Sequence, residues 1–523
     1  MGKQGMGQNR PLRGLLLVIL GAAVSGCAVN PVTGAKEVAF VSESQELALG
    51  QQNYGPYRQA QGGDYVVEPE LNRYVQSVGD RLARVSDRKL PYEFSILNDS
   101  SPNAWALPGG KIALNRGLLV ELRSEAELAA VLAHEIVHAA ARHSAQSMER
   151  GVFLQGALIA AGVALGDSSY GDLGMMGAGL GAQLTDQKFG RDDETEADRY
   201  GMLYMSRAGY DPAAAVRLQE TFVRLSEGRD SNWLAGLFAS HPPSRARVEA
   251  NRAELARLGN PGGEVGEDRY QRAIARLKRN KPAYEAYDEA REAVKRGDLK
   301  GALTKVDKAI RIEPKEAAFY SLRGEIKAAQ KGGRAALKDL DRAVALNPGY
   351  FRPLLVRGTT RSEIGDMPGA RRDLERSVAL LPTAEGYYGL GRAAELSGRR
   401  DEAVGYYGKA ATSQSNAGTQ AGRQLARIDL QAHPERYVVA SLGLSRRGYL
   451  VVRVTNRAAL AVQGVRVVIG SPGPGGIRER ASYQIDRGIA AGQTVQLDTE
   501  LGPMSPDTAR RLVALVSDAR PAR

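Results

Sequence analysis

Apolar residues recur at helical spacing just after Ser124, around the chain's most distinctive stretch, residues 134–138. Ser124 and Glu127 form a Ser-x-x-Glu capping box, which is typical of a helix start. The apolar positions that follow fit one turn after another of a helix: Leu128, Val131, Leu132 and Val137. The pattern therefore predicts a helix that carries the sequence His-Glu-Ile-Val-His.

Past Leu258 the pattern changes to a repeat. Gly259 to Gly263 marks a linker, predicted to span 259–282, and a period of about 34 residues begins after it. Small residues and prolines mark this period: Ala302, Ala336, Ala370 and Ala403; Gly324, Gly358 and Gly391; Pro314, Pro348 and Pro382. The period resembles tetratricopeptide repeats, which stack paired helices into a solenoid. We expect a repeat segment at 283–432, with four units followed by a capping helix at about 417–431.

From Arg436 the pattern predicts strands. Residues Tyr449–Val454 and Val465–Ile469 are rich in β-branched side chains, while Thr494–Leu497 and Leu512–Val516 give weaker signals. Gly- and Pro-rich turns separate these segments. We interpret 436–523 as a small β-sandwich with a binding or spacing role.

The N-terminus predicts export. Three basic residues precede the apolar run Leu15–Val24, and Ser25-Gly26-Cys27 follows it. The run is shorter than the roughly 20 residues that span a bilayer. Residues 24–27 resemble a bacterial lipobox, so the resemblance implies a signal peptide at 1–26 and a lipid on Cys27. A soluble signal peptide and a short membrane helix are the alternatives. Ala28 after the cysteine implies, by resemblance to Gram-negative sorting, the periplasmic side of the outer membrane.

The composition limits the class of protein, its disulfides and its expected partners. The chain has 523 residues, 43% hydrophobic and 25% charged, which is typical of a globular protein of several domains. Its single cysteine excludes a disulfide framework within the chain. The net charge of +12 is spread without aromatic interleaving, and no nucleic-acid motif is present, so no nucleic-acid partner is expected.

The stretch 151–184 is glycine-rich and apolar. The run Val152–Leu165 within it is compatible with a buried helix and is too short for a confident membrane span. A lid over the cleft, a loop on the membrane and a plain surface loop all stay open.

The pentapeptide at 134–138 predicts a metal site. His134 and His138 are one helical turn apart, so both imidazoles face one ion, and Glu135 lies beside that face. Glu194 and Asp198 share a face in the same way. One of them can ligate the metal while the other orients a histidine.

These motifs resemble the zinc metallopeptidases of the HtpX and CAAX-prenyl-protease type, and within them the BepA-type proteases. Three further blocks agree: Glu-x-x-Ala-Asp at 194–198, Asn-Ala-Trp-Ala-Leu-Pro-Gly-Gly at 103–110, and His-Pro-Pro-x-x-x-Arg at 241–247. The resemblance covers about 30–258, and we expect the peptidase domain at 27–258. It implies one zinc ion per chain. Its implied residue roles are zinc ligands at His134, His138 and Glu194, the catalytic base at Glu135 and an orienting carboxylate at Asp198.

Two residues of the last block have open roles. The resemblance implies that His241 can occupy the open zinc position and hold the enzyme off, and a structural histidine beside a Pro-Pro turn is the alternative. Arg247 can stabilise an oxyanion or pair with an acid. His143 lies five residues past His138 and is interpreted as structural.

The expected fold is multidomain: a mainly α-helical zincin (gluzincin) metalloprotease domain with a small sheet, a tetratricopeptide-repeat solenoid and a C-terminal β-sandwich. Lys111–Asn115 is predicted to be a strand at the cleft. It is either an exposed edge that holds extended substrate or an ordinary sheet strand.

The resemblance implies a lipid-anchored zinc endopeptidase that degrades unfolded or misassembled outer-membrane proteins and docks on the assembly machinery through its repeats. The alternative is a repeat-based chaperone or assembly adaptor whose zinc is structural. The presence of Glu135 argues against that alternative, because a structural site needs no base.

Overall fold

The protein is described from a computed structural model that covers residues 27–38, 41–147, 189–227, 241–473 and 476–522. The predicted signal peptide 1–26 and the glycine-rich stretch 151–184 fall in the parts of the chain outside these ranges. The chain divides into two compact units, Met1–Glu316 and Ala317–Arg523. Within the described ranges, no helix is both long and apolar enough to cross a membrane.

The first unit is mainly helical. An antiparallel hairpin, β1 (Cys27–Val29) and β2 (Lys36–Val38), opens it. Its described helices are α1 Glu43–Ala60, α2 Pro69–Ala83, α3 Arg116–Leu119, α4 Glu125–Ala140, α5 Arg191–Arg207, α6 Ala213–Glu227, α7 Arg245–Arg257, α8 Glu267–Ala273, α9 Ala275–Lys295 and α10 Leu299–Ile312.

Helix α4 carries the His-Glu-Ile-Val-His sequence at the centre of this unit. Its N-terminus is capped as predicted, because the Ser124 side chain accepts a hydrogen bond from the Glu127 N–H at 3.2 Å. The Glu127 carboxylate reaches the Arg123 N–H instead of closing the box on Ser124. Every residue of α4 except His134 is buried, so the helix is fixed on all sides.

A three-stranded sheet lies beside α4. Strand β5 (Lys111–Asn115) is its central strand, parallel to β3 (Glu93–Leu97) and antiparallel to β4 (Ala104–Leu107). All five residues of β5 are buried. The interpretation of β5 as an exposed edge is therefore wrong: it is an ordinary sheet strand, and the edge nearest the cleft is β4.

The predicted linker 259–282 is folded over much of its length. It contains α8 and the first turns of α9. Tyr270 on α8 is fully buried, and its hydroxyl donates to the Leu119 carbonyl at 2.6 Å. Arg269 pairs with Glu125 at the first turn of α4. An aromatic side chain and an ion pair thus fix this segment to the peptidase helices, which the Gly-Asn-Pro-Gly-Gly sequence alone does not indicate.

The second unit begins with paired helices. They are α11 Ala317–Lys331, α12 Gly333–Leu346, α13 Phe351–Glu363, α14 Met367–Leu380, α15 Ala384–Leu396, α16 Arg400–Ala411 and α17 Asn416–Asp429. The 34-residue register matches these pairs, since Ala336, Ala370 and Ala403 are all fully buried on the second helix of their pair. Arg323 and Arg357, one period apart, each make a bidentate pair with a buried aspartate, Asp339 or Asp373.

The repeated glycines have a packing reason. A Cβ built on Gly324, Gly358 or Gly391 would lie 2.5–2.7 Å from a side chain of the partner helix. No ordinary Cβ contact is that short, so only glycine lets the two helices of each pair approach this closely.

The Gly358→Ala substitution should therefore lower the free energy of unfolding of the second unit by about 1–3 kcal/mol, because the new methyl would meet Leu374 at 2.7 Å. Gly405→Ala is the matched control, since nothing lies within 4 Å of a Cβ there. Gly405→Ala should leave the free energy of unfolding unchanged or raise it by up to about 1 kcal/mol. Urea unfolding followed by circular dichroism measures both, and equal effects would contradict the packing argument.

Six strands complete the unit: β6 Val438–Leu444, β7 Leu450–Asn456, β8 Val462–Gly473, β9 Gly476–Ile485, β10 Thr494–Asp498 and β11 Val513–Pro521, with a short helix α18 at Pro506–Arg510. They form two three-stranded antiparallel sheets, one ordered β10-β7-β6 and the other β11-β8-β9. Both sheets contribute to one buried core, and Ala426 of α17 joins it. Strands β6 and β9 were not among the predicted strands.

Candidate metal centre

Three segments of the first unit bring the predicted site residues together. His134 and His138 come from α4, Glu194 comes from the first turn of α5, and His241 immediately precedes α7. One ligating atom from each of these four residues lies within 4.8 Å of the other three. Glu194 is 56 residues past His138 in sequence, and the two meet because α5 packs directly on α4.

The close approach of α5 depends on small side chains. Ala197 and Gly201 occupy the face of α5 that turns to α4, and Ala197 is fully buried. A Cβ on Gly201 would lie 3.3 Å from the backbone nitrogen of His134. A larger residue there would push α5, and Glu194 with it, away from the histidines.

The spacing of the ligating atoms tests whether they fit a metal ion. His134 Nε2 lies 3.0 Å from His138 Nε2 and 3.2 Å from His241 Nδ1, and His138 Nε2 lies 3.4 Å from Glu194 Oε1. Four ligands on a tetrahedral zinc ion, at about 2.0–2.1 Å each, stand about 3.3 Å apart. Two imidazoles, a carboxylate and a third imidazole are also donors that zinc accepts. The residues fit a zinc ion.

Orphaned polar atoms support the same reading. Glu135 Oε2 and His241 Nε2 are buried and have no hydrogen-bond partner within the described ranges. Buried polar atoms without partners are uncommon and costly, so such atoms point to a missing ion, water or substrate.

The electrostatics separate the two glutamates. Burial raises the pKa of Glu135 above its ordinary range, although His241 and His134 oppose the shift. Burial alone would also raise the pKa of Glu194, but His241, His138 and His134 outweigh it and hold that pKa far below its ordinary range. Glu194 therefore stays an anion suited to hold a cation, while Glu135 is a carboxyl that can exchange a proton.

Burial lowers the pKa of the His138 imidazole well below its ordinary value, which keeps the ring neutral and able to donate a lone pair. For His241, burial also lowers the pKa, but Glu194 and Glu135 raise it above its ordinary value. His241 Nε2 lies 3.5 Å from Glu135 Oε1.

Asp198 and Arg247 hold this centre from outside. Asp198 Oδ1 lies 3.0 Å from His134 Nδ1, as an orienting carboxylate requires. Arg247 donates to both oxygens of Asp198, at 2.8 and 2.7 Å, and its third nitrogen lies 2.7 Å from Glu194 Oε2. Of the two roles left open for Arg247, the geometry shows pairing with acids.

Two contacts near the centre were not predicted from the sequence. His143 is outside the group of four potential ligands, in keeping with its interpretation as structural, but its Nδ1 lies 2.9 Å from His138 Nδ1. Phe189 stacks on the His138 ring, with ring centroids 4.0 Å apart. Helical spacing does not predict the His143 contact, because α4 ends at Ala140 and Arg142 has a left-handed backbone with φ +66°.

A pocket opens beside the centre. His134, Glu135 and His241 line one part of it, and the rest is mostly apolar: Ala104, Ala130, Val131, Ala215, Leu218 and Phe222. Ala104 belongs to the edge strand β4, so that strand and the candidate base border one cavity.

The part of the chain that carries this centre is similar to known proteins. Residues 69–255 match Peptidase family M48. A putative beta-barrel assembly-enhancing protease of Vibrio cholerae is 33% identical over 48% of this chain and 53% of that protein. Mitochondrial metalloendopeptidase OMA1 of Schizosaccharomyces pombe is 40% identical over 34% of this chain and 50% of its own length. The matched region thus spans about half the length of these curated relatives.

The solved structures give a weaker likeness. The first tetratricopeptide-repeat domain of RPAP3 (Spaghetti) matches 23% of this chain and 95% of its own, at 22% identity and a TM-score of 0.22.

Proposed function

We propose that this chain, in which residues 69–255 form a Peptidase family M48 domain, is a zinc-dependent endopeptidase of the bacterial envelope. The observation that carries the proposal is the convergence of His134, His138 and Glu194 around one point, with the buried Oε2 of Glu135 beside it, which has no hydrogen-bond partner among the described residues. One zinc ion per chain is expected there.

The proposed role of each residue follows from the chemistry of its side chain. His134, His138 and Glu194 would hold zinc, which supplies a Lewis acid that acidifies water and polarises a carbonyl. Glu135 is the base: it takes a proton from the attacking water and gives it to the leaving amine. Asp198 fixes the ring of His134, and Arg247 fixes both carboxylates, so neither needs to touch substrate.

Substrate is expected to bind as an extended strand along β4. The Asn115 N–H donates to the Asn103 carbonyl, so by alternation the backbone groups of Ala104 and Ala106 face away from β5. The Ala104 N–H already donates to the Asn103 side chain, and the Ala106 carbonyl accepts from the Ser144 hydroxyl. The Ala104 carbonyl and the Ala106 N–H are therefore the groups proposed to pair with substrate. Ala104 lies in the pocket that Glu135 lines. Pairing through backbone groups accepts many sequences but only unfolded segments. This favours unfolded or misassembled chains as substrates.

The substrate class follows from the relatives. Several carry the name beta-barrel assembly-enhancing protease, and we extend this to outer-membrane β-barrel proteins as substrates of this chain. The paired helices of the second unit are proposed to dock on the outer-membrane assembly machinery, as helical repeats bind proteins over extended surfaces.

The site also supports a second function. Four protein donors surround one point, and a zinc site closed by four protein ligands is typical of a structural metal. A repeat-based chaperone or assembly adaptor with a structural zinc would have such a site. The buried Glu135 carboxyl favours the enzyme, because its Oε2 has no hydrogen-bond partner in the described part of the chain and a structural centre gains nothing from it.

Metal removal distinguishes these functions. The purified chain, tested on an unfolded outer-membrane β-barrel protein, should lose hydrolysis after chelation and regain it with one equivalent of zinc. Mass spectrometry of the fragments and metal analysis measure both. Suppression of β-barrel aggregation without any cleavage, with zinc bound, would support the adaptor instead.

His241 is proposed to close the site as a fourth ligand and so restrain the enzyme. His241→Ala should raise basal hydrolysis several-fold while lowering zinc affinity, because it removes a donor and opens the place of substrate. Glu249→Ala, an exposed change on the same segment, is the control. If hydrolysis by the His241 variant falls while zinc remains bound, His241 takes part in the chemistry instead.

Localisation rests on the N-terminus. Cys27 is proposed to carry the lipid that holds the chain on the periplasmic face of the outer membrane, with residues 1–26 removed as a signal peptide. Cys27→Ser should move the protein from the outer-membrane fraction to the soluble periplasm. A variant that still sediments with outer membranes after a salt wash would refute the anchor.

A further inference from the structure

The N-terminal hairpin β1–β2 contacts the surroundings of the candidate metal centre through the side chains of Asn30 and Glu37, and Asn30 is the one that reaches α5. This residue is almost fully buried. Its Oδ1 accepts from the backbone N–H groups of Val32 and Thr33, at 2.9 and 3.2 Å. These contacts fix the orientation of the amide, because only the oxygen can accept.

The other end of the amide is therefore a donor aimed at two carboxylates. Asn30 Nδ2 donates to Glu37 Oε1 at 3.0 Å, within the hairpin, and to Glu196 Oε1 at 3.1 Å, on α5. Glu37 in turn accepts from Gln146, just past α4. The hairpin is thus fastened both to α5 and to the end of the segment that carries the histidines.

Glu196 is the next member of this series of hydrogen bonds, which leads from Asn30 to the metal ligands. Its Oε1 lies 3.3 Å from His143 Nε2, and His143 Nδ1 lies 2.9 Å from His138 Nδ1. A carboxylate only accepts, so His143 Nε2 donates to it and His143 Nδ1 is left as an acceptor. His138 Nδ1 must then donate, which leaves the lone pair of His138 Nε2 facing the centre.

We infer that the hairpin is a working part of the metal centre: Asn30 and His143 are positioning residues that fix the ring and tautomer of His138. The inference rests on the metal centre proposed above. It gives the hairpin, which starts at Cys27, a role in metal affinity besides its place next to the proposed anchor. Partners of ligating histidines typically change metal affinity by 10–100-fold when they are lost.

The Asn30→Asp variant tests this inference. It keeps the size and the accepting oxygen that Val32 and Thr33 require. It replaces the donor by an oxygen facing Glu37 and Glu196, so the link to α5 becomes a repulsion. His143→Ala removes the next link, and Lys36→Ala, an exposed change in β2, is the matched control.

Zinc affinity of the purified full chain is measured by competition with a chromophoric chelator. We expect the dissociation constant to rise roughly tenfold in Asn30→Asp and about 10–100-fold in His143→Ala. Lys36→Ala should match the wild type. The visible absorption of the cobalt-substituted protein should also change in the first two variants, because the His138 ring is no longer held in one orientation.

Urea unfolding, combined with the zinc affinity and the cobalt spectrum, separates positioning from simple stability. The repulsion should lower the urea midpoint of metal-free Asn30→Asp, so the midpoint alone does not decide; a purely structural role would lower the midpoint and leave both the zinc affinity and the cobalt spectrum unchanged. That outcome, or wild-type zinc affinity in both Asn30→Asp and His143→Ala, would overturn the inference. If Asn30→Asp does not fold, Glu196→Ala takes its place, with the same expected loss of affinity, because it removes the oxygen that accepts from both Asn30 and His143. A wild-type chain that binds no zinc would instead refute the proposed metal centre.

Discussion

The Glu135→Gln variant should hydrolyse unfolded protein roughly a thousandfold more slowly than the wild type and still contain zinc. General bases contribute about 10²–10⁴-fold to such reactions. Glutamine has the size of glutamate but cannot take up the proton of the attacking water. Zinc should remain because Glu135 is outside the group of four potential ligands, although its Oε1 lies 3.5 Å from His241.

The measurements are initial rates of fragment release and zinc content per chain. Glu70→Gln is a suitable control, since this glutamate is exposed on α2 and pairs only with a surface arginine in the described structure. A Glu135→Gln variant that keeps more than a tenth of the wild-type rate would remove the base from the mechanism. A variant that loses zinc as well would place Glu135 among the ligands.

The core of this site could be predicted from sequence because its residues keep fixed local spacings. His134 and His138 are one turn apart on one helix, and so are Glu194 and Asp198, which means that helix geometry alone gives each pair its common face. A capped, apolar helix around the first pair made that geometry dependable. The meeting of the two pairs came from family resemblance, and the structure places them within hydrogen-bonding distance.

The contacts of His143 and Asn30, and the position of β5 in its sheet, depend on turns and long-range contacts that no local sequence period encodes. His143 reaches His138 only because the chain leaves the helix after Ala140 and reverses at Arg142. Asn30 lies 166 residues from its partner Glu196 in sequence, and nothing in an Asn-Pro turn predicts that contact. Strand β5 was recognised as a strand, but whether it is central or an edge depends on the pairing of β3 and β4 around it.

The contacts of segment 259–282 could not be predicted from local sequence either, and they affect the stability of the first unit. Its glycine-rich start correctly signals a break in regular structure, since Asn260 and three neighbouring glycines have positive φ angles. The residues just beyond it return to the peptidase helices. The Val265 carbonyl accepts from Ala126 N–H at 3.0 Å, and Glu264 pairs with Arg81 at 2.7 Å. The segment therefore closes the N-terminal end of α4.

A chain that ends at Leu258 should therefore be much less stable than one that ends at Glu316, the boundary of the first unit. The shorter chain exposes the site of Tyr270, whose burial contributes about 1.5–3 kcal/mol. It also removes the Arg269 partner of buried Glu125, and loss of a partner to a buried charged group costs about 1–3 kcal/mol. These losses are comparable with a domain stability of about 5–15 kcal/mol.

We expect the chain ending at Glu316 to fold, bind zinc and hydrolyse a generic unfolded protein, because it keeps α8, α9 and their contacts. Arg116 stacking on Tyr284 of α9 at 3.4 Å is one of those contacts, and the chain also keeps the Asn98–Glu316 hydrogen bond of 3.0 Å after α10. It should fail to associate with the assembly machinery, for which the helical repeats after it are proposed. Thermal unfolding, zinc content and co-purification from cells measure these three properties. Equal unfolding temperatures of the two truncated chains would show that α8 does not stabilise the first unit. Normal association of the chain ending at Glu316 with the assembly machinery would place partner recognition in the first unit.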